Sequence, residues 1–274
     1  MSYTIHLLDG TSPSPRLAAA LAFRSRHFRG RADPDADRDR HDPHWHHLVV
    51  EDENGAIRGY ARLGHHAPED LAALSYAARF FAIETVAPAA PLFEIGRVVV
   101  EGNDLWARQT LIRLLFAAIV KLAEETGAAR LWGCVSLPRP LPPLPASLPR
   151  PLPLLVGPGP APGRMARLWA AVPAAPPAER AGASPGLPLL AAYLAAGAAL
   201  APAIVADPDL GNWVALACLD RTAPPTPPLR RLQRLATTFT IRRDGRTTRP
   251  LPGGSCTCRP GMHGRRETYT RTDA

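Results

Sequence analysis

At 274 residues, with 46% hydrophobic and 20% charged content, the chain has the proportions of a folded soluble protein and the length for one sizeable core or two small ones. Its net charge of +8 sits at the end: from Arg221 on there are twelve arginines against three acids, a net of +9 that leaves −1 for residues 1–220. The basic balance therefore excludes an argument from charge for nucleic-acid binding by the domain.

Tyr3 to Leu8 alternates weakly and reads as a first strand. Ser14-Pro15 gives an N-cap followed by proline at the first helical position, opening a helix through about Phe28. Its stripe is Leu17, Leu21, Arg24 and Phe28, which puts Arg24 on the buried face and calls for a carboxylate beside it. Residues 30–47 form a polar loop rich in Asp, Arg and His, long enough to suggest function or disorder. A hairpin follows, His47–Glu51 and Ala56–Leu63, turned at Asn54-Gly55. Residues 72–81 read as a helix or an irregular lid containing Tyr76 and Phe80.

The central stretch is Phe93-Glu94-Ile95-Gly96-Arg97-Val98-Val99-Val100. Five of its eight residues are Phe, Ile or Val, as in a buried strand, yet it carries a carboxylate and a guanidinium. In a regular strand Glu94 and Arg97 would face opposite ways, so a bulge at Gly96 is expected to bring both to one cleft. A structural ion pair at a strand end is the equal alternative. Asn103 or Asp104 then caps a helix with the stripe Ile112, Leu115, Phe116, Ile119, Leu122 and Ala123, stopped by Gly127. Arg130–Leu137 is the next strand, so a βαβ unit with parallel strands is expected.

Sixteen of the 32 prolines lie between Pro138 and Pro188, an excursion of low complexity in which only Arg164–Val172 suggests a short helix. The 21 uncharged residues Gly186–Ala206 have transmembrane length, but Ala, Gly and two prolines argue instead for a helix from Leu189 to Leu200 lying on the sheet. Ala203–Val205 and Trp213–Leu219 complete the strands, joined by a turn at 207–211. The expected organisation is a domain over residues 1–220, with an irregular insert at 138–186, and a disordered Arg/Thr/Pro/Gly-rich tail over 221–274. Cys134 and Cys218 lie in apolar runs as inert thiols, and Cys256-x-Cys258 falls in the tail. With no signal peptide at the start, a reducing cytoplasm is the expected compartment.

The charged residues in order, Arg24 and Phe28, Asp39-x-x-Asp42, His47-Leu48-Val49-Val50, Arg62-Leu63 and Glu94-Ile95-Gly96-Arg97, resemble the GNAT-fold acyltransferases that draw acyl chains from acyl carrier protein. The ornithine-acyl-carrier-protein N-acyltransferases of ornithine-lipid synthesis fit better than the acyl-homoserine-lactone synthases. Gly133-Cys134-Val135-Ser136 resembles the former's Gly-Cys-x-Ser strand, and Leu187-Pro188-Leu189-Leu190 with Tyr193-Leu194 and Gly197 its Pro-Leu-Leu-x-x-Tyr-Leu-x-x-Gly helix. The similarity spans residues 3–136 and 186–220. His41 departs from it, standing where Tyr or Phe is usual, as do the Pro-rich insert and the tail.

The resemblance implies an α/β fold, a GNAT-like mixed sheet flanked by helices, and N-acyl transfer to ornithine or a similar amino acid, with a long-chain 3-hydroxyacyl group as cargo. It makes Glu94 the base, direct or through water, and names Arg97 with it as catalytic. Arg24, Arg62 and Arg97 balance Asp39, Asp42 and Glu94 at three charges of each sign. With Phe28 alongside, that set can orient a zwitterionic substrate, or it can simply staple the 30–47 loop to the sheet. Acetyl-CoA-using relatives carry a glycine-rich turn that cradles pyrophosphate, whereas the turn here, Val100 to Ala107, is acidic. The implied donor is an acyl thioester on the phosphopantetheine of acyl carrier protein, with no separate cofactor. Arg26, Arg29 and Arg31 are candidate contacts for the carrier, or an ordinary solvated face. The basic tail suggests peripheral contact with anionic membrane at its inner face; no nucleic acid is expected. A histidine cluster (His41, His44, His46, His47) lacks the spacing of a metal site, so none is expected. A non-catalytic binding module of the same fold is the alternative from another class.

Overall fold

The computed structural model describes residues 2–81, 91–138, 165–167, 188–207 and 209–244. Its strands are β1 (Tyr3–Asp9), β2 (His46–Asp52), β3 (Ile57–His66), β4 (Leu92–Val100), β5 (Arg130–Leu137), β6 (Met165–Arg167), β7 (Ala199–Asp207), β8 (Asn212–Asp220) and β9 (Ile241–Asp244). They form one mixed sheet in the order β6-β7-β8-β5-β4-β3-β2-β1-β9, in which β4–β5 and β1–β9 are the parallel pairs. The helices are α1 (Pro15–Arg29), α2 (Leu71–Leu74), α3 (Leu105–Glu125), α4 (Pro188–Ala196) and α5 (Pro227–Ala236).

Local chemistry accounts for the helix ends. Ser14 accepts the Leu17 N–H at the start of α1 and Gly30, at φ 72°, closes it; Asp104 accepts the Ala107 N–H at the start of α3. Strand alternation divides the apolar residues between two faces. Leu48, Leu63, Phe93, Ile95 and Leu131 pack under α3 and α4, while Val49, Tyr60 and Val99 pack under α1. Further along that second face Trp45, Leu71, Tyr76, Phe80 and Phe81 cover Leu92 and Trp132. Residues 71–81 are thus part of the core, two short helical turns with Phe80 and Phe81 buried, and not a lid.

The bulge in the central strand falls one residue later than expected. Tyr60 pairs with Val99 but Arg62 with Gly96, so Arg97 and Val98 together face Ala61. Arg97 itself takes the left-handed backbone, at φ 52°, where glycine is usual. The shift of parity leaves Val98 and Val100 against α3 and returns Arg97 to the Glu94 side.

Three further expectations are corrected. The uncharged stretch gives a nine-residue helix, α4, that ends before Gly197 (φ 100°), after which Leu200 already lies in β7. Residues 165–167 are the edge strand β6, not a helix; the remainder of the insert beyond Pro138 lies outside the described residues. The stretch after Arg221 is ordered at least as far as Asp244. Leu229 and Ala236 of α5 are buried near α3, and β9 adds a strand beside β1. A few apolar residues at helical spacing suffice because α3 and β1 offer faces for them. Cys256-x-Cys258 lies outside the described residues. Among the described residues no helix is long and apolar enough to cross a membrane.

Candidate active site

The 30–45 segment folds back over α1, the Asp37 N–H donating to Ser25 Oγ and its carbonyl accepting from Arg24 at 2.6 Å. It carries three aspartates to three buried arginines. Arg24 grips Asp42 through two hydrogen bonds of 2.6 and 2.9 Å and pairs with Asp37 at 3.0 Å. Arg62, two residues along β3 from Tyr60, reaches Asp39 at 2.6 Å and Asp42 at 2.9 Å. Arg97 donates to Asp37 at 2.9 Å and stands 3.8 Å from Asp39. Aromatic rings hold the guanidinium planes: Arg62 lies over Trp45 (4.8 Å), and Arg97 is flanked by Phe28 (5.1 Å) and Tyr76 (5.3 Å).

The balance of three and three is therefore present, but with Asp37 in the place anticipated for Glu94. Nothing in the run of acids at 33, 35, 37, 39 and 42 singles out Asp37; only the path of the loop does. Burial pushes the Asp42 carboxyl up, but bonds and charge from Arg24 and Arg62 more than offset this and hold it well below the usual carboxylate range. Asp39 is likewise lowered, Arg62 outweighing its burial. His47, sealed between Tyr60 (2.7 Å) and the Asp42 carbonyl (3.2 Å), is brought down to about 4 by burial.

Glu94 stands apart from the arginines. Its carboxylate, 1% exposed, accepts the Ala77 N–H at 2.8 Å and lies 3.1 Å from His66 Nε2. His66 was outside the strand as read from sequence, which stopped at Leu63. The period-two series Tyr60, Arg62, Gly64, His66 would have reached it.

Beside Glu94 the sheet divides. The parallel pairing of β4 with β5 ends at Ile95 opposite Gly133, although β4 stays paired to β3 up to Val100 and β5 to β8 up to Leu137. The Tyr193 hydroxyl comes to the same point from α4, on the opposite face: a methyl group on Gly133 would lie 2.9 Å from it. Burial raises the Tyr193 phenol, so it stays protonated at neutral pH. A carboxylate on one side of the gap can accept a proton from a group lodged there, and a phenol on the other can donate a hydrogen bond to it.

The other nominated residues are committed within the chain. Arg26 pairs with Glu101, Arg29 with Asp37, and Arg31 with Asp33. His41 bonds the Leu74 carbonyl, and no group of three His, Cys, Asp or Glu among the described residues is arranged to hold a metal ion.

Residues 22–115 match a family model described as an acetyltransferase (GNAT) domain, a span that contains the seven residues expected from sequence to be catalytic or substrate-binding. No curated protein matches the chain. Among solved structures, BjaI with MTA, a CoA-dependent acyl-homoserine lactone synthase, aligns with a TM-score of 0.51 at 13% identity, covering 91% of this chain and 97% of that one. TofI in an apo form gives 0.46 at 20% identity over 80% and 91%, and FeeM, an N-acyl amino acid synthase from uncultured soil microbes, 0.42 at 11% over 87% and 99%. At these identities the likeness to BjaI is one of fold. With the family match, the mixed sheet is a GNAT fold and the chain an N-acyltransferase.

Proposed function

We propose that this acyltransferase moves a long-chain 3-hydroxyacyl group from acyl carrier protein to the amine of ornithine or a similar amino acid. The observation that carries the reading is the buried, arginine-free Glu94 carboxylate at the point where β4 and β5 part. A thioester lodged in that gap presents its carbonyl carbon to an amine on the Glu94 side. The nitrogen attacks the carbonyl carbon, Glu94 takes the proton it releases, the C–S bond breaks, and that proton passes on to the departing thiolate, towards which the Tyr193 hydroxyl can donate a hydrogen bond. Support for the acceptor comes from the neighbouring network. Asp39 and Arg97 form its loosest pair, and Asp39 Oδ2 has no hydrogen-bond partner among the described residues. An amino acid's ammonium and carboxylate match that corner in charge. Support for a carrier donor comes from the turn before α3, where Asp104 occupies the first-turn amide that a pyrophosphate would otherwise bind. Peripheral contact of the basic C-terminal part with anionic membrane fits an amphiphilic product.

Homoserine-lactone synthesis is the second reading, since the fold is shared with BjaI, a structure of which holds SAM and isopentyl-CoA. Mass spectrometry of extracts from expressing cells separates the two. A lyso-ornithine lipid, absent from cells carrying Glu94→Gln, is the expected result; a diffusible lactone in its place sinks the first reading.

A further inference from the structure

Among the described residues His66 is the one side chain that hydrogen-bonds the Glu94 carboxylate, and its position is built by the strand around it. It lies at the end of β3, two residues beyond Gly64, which pairs directly with Glu94 across the strands. The ring folds back along the strand into space that a side chain at 64 would fill. A Cβ there would lie 2.6 Å from His66 Nε2 and 2.7 Å from the Trp45 ring. Trp45 braces the imidazole edge-on at 5.3 Å. Both partners are sealed, His66 and Glu94 each at 1% exposure. The far nitrogen, Nδ1, is buried with no hydrogen-bond partner among the described residues, so none of them competes with Glu94 for the ring's bonding.

A carboxylate can only accept, so the contact requires the proton on Nε2 when Glu94 is ionised. Ala77 N–H supplies a second donor to the other oxygen. Two donors from two elements fix the plane of the carboxylate while leaving each oxygen a further lone pair. An amine proton has somewhere to go. On the acyl-transfer reading of Glu94, we infer that His66 is its positioning residue: through Nε2–H it holds the base oriented beside the gap between β4 and β5, and Gly64 is small so that it can.

The electrostatic surroundings bear on the test. Besides His66, the titratable groups that feel the charge of Glu94 from the packed elements are Cys134 of β5, Tyr193 of α4 and His41 of the 30–45 segment. Burial raises Cys134 and Tyr193 and lowers His41, which leaves all three neutral near pH 7.

Three variants of the full chain test the inference. His66→Gln keeps an N–H donor at similar reach, His66→Leu removes it, and Gly64→Ala displaces the ring. Each is titrated by carboxyl 13C NMR on glutamate-labelled protein, with the Glu94 signal identified by its loss in Glu94→Gln. Each is also assayed with 3-hydroxyacyl-carrier-protein and ornithine. A lost hydrogen bond to a charged group should lower kcat by about 10–100-fold in His66→Leu and Gly64→Ala. In those two the Glu94 signal and the low-pH limb of kcat/KM should move together to higher pH. His66→Gln should restore both. A His66→Leu protein that melts earlier but keeps the wild-type carboxyl titration and low-pH limb would mean a purely structural histidine and overturn the inference. A wild-type protein inert towards acyl thioesters and amines would instead overturn the acyl-transfer reading, and with it the base that His66 serves, even if the carboxyl signal still moved.

Discussion

Asp42 and Glu94 are both buried carboxylates, and their partners set them to different tasks. Asp42 holds two arginines, so Asp42→Asn should leave Arg24 to Asp37 and Arg62 to Asp39 alone, with three buried guanidinium groups facing two carboxylates. A loss of roughly 3–5 kcal/mol of stability is expected in denaturant titrations. Glu94 holds no arginine, so Glu94→Gln should remain folded while single-turnover acylation slows by about 10²-fold or more. A folded Glu94→Gln variant with wild-type turnover would remove the base. His47 supplies a pH signature. Its folded value near 4 lies below the ordinary histidine value, so its contribution is present above about 6.5 and is lost as pH falls through 4. Stability should decline across that window by roughly 3 kcal/mol on account of His47. Urea titrations from pH 7 to 4 should show a shallower decline in His47→Gln. His65, also brought down to about 4 by burial, contributes in the same direction and should persist in that variant.

At the scale of elements, a bulge and two glycines place the chemistry. The bulge at Arg97 reverses the parity of β4, and the ion pair with Asp37 and the flanking rings hold Arg97 in a backbone conformation that costs about 1 kcal/mol or more for a non-glycine residue. Gly133 marks where β5 leaves β4; a Cβ there would lie 2.6 Å from the Ile95 carbonyl oxygen. Gly133→Ala should therefore push the strands apart and crowd Tyr193. A stability loss of about 1–3 kcal/mol is expected, with a larger loss of turnover than the folded fraction explains. Equal losses in both would show that the strand junction is structural alone.

For the molecule as a whole, the end of the described chain is part of the sheet. A protein ending at Asp244 should melt close to the full-length chain. One ending at Asp220 loses α5 and β9, uncovers the apolar surface around Leu229 and Ala236, and frees Lys121 from the two carbonyls it caps. It should melt much lower or aggregate; equal melting of the two truncations would contradict the packing described here. Strands β1–β5, β7 and β8, the capped helices α1 and α3 and the βαβ unit were legible in the sequence because they rest on short-range causes: alternation, caps and turn residues. Arg24, Arg62, Glu94 and Arg97 stood out because charged residues in apolar patterns are conspicuous, whereas Asp39 and Asp42, in a polar loop, came from the family resemblance. The partners were less visible. Asp37 replaced Glu94 in the network because loop 30–45 folds back on α1, and His66 was missed because β3 runs three residues past the expected stop at Leu63. The same holds for α5 and β9, whose few apolar residues mean little until α3 and β1 supply surfaces for them. Sequence alone determined which residues are too costly to bury unpaired; only the tertiary structure decided their pairing, because a buried charge is satisfied by whatever lies within about 3 Å, whatever its distance along the chain.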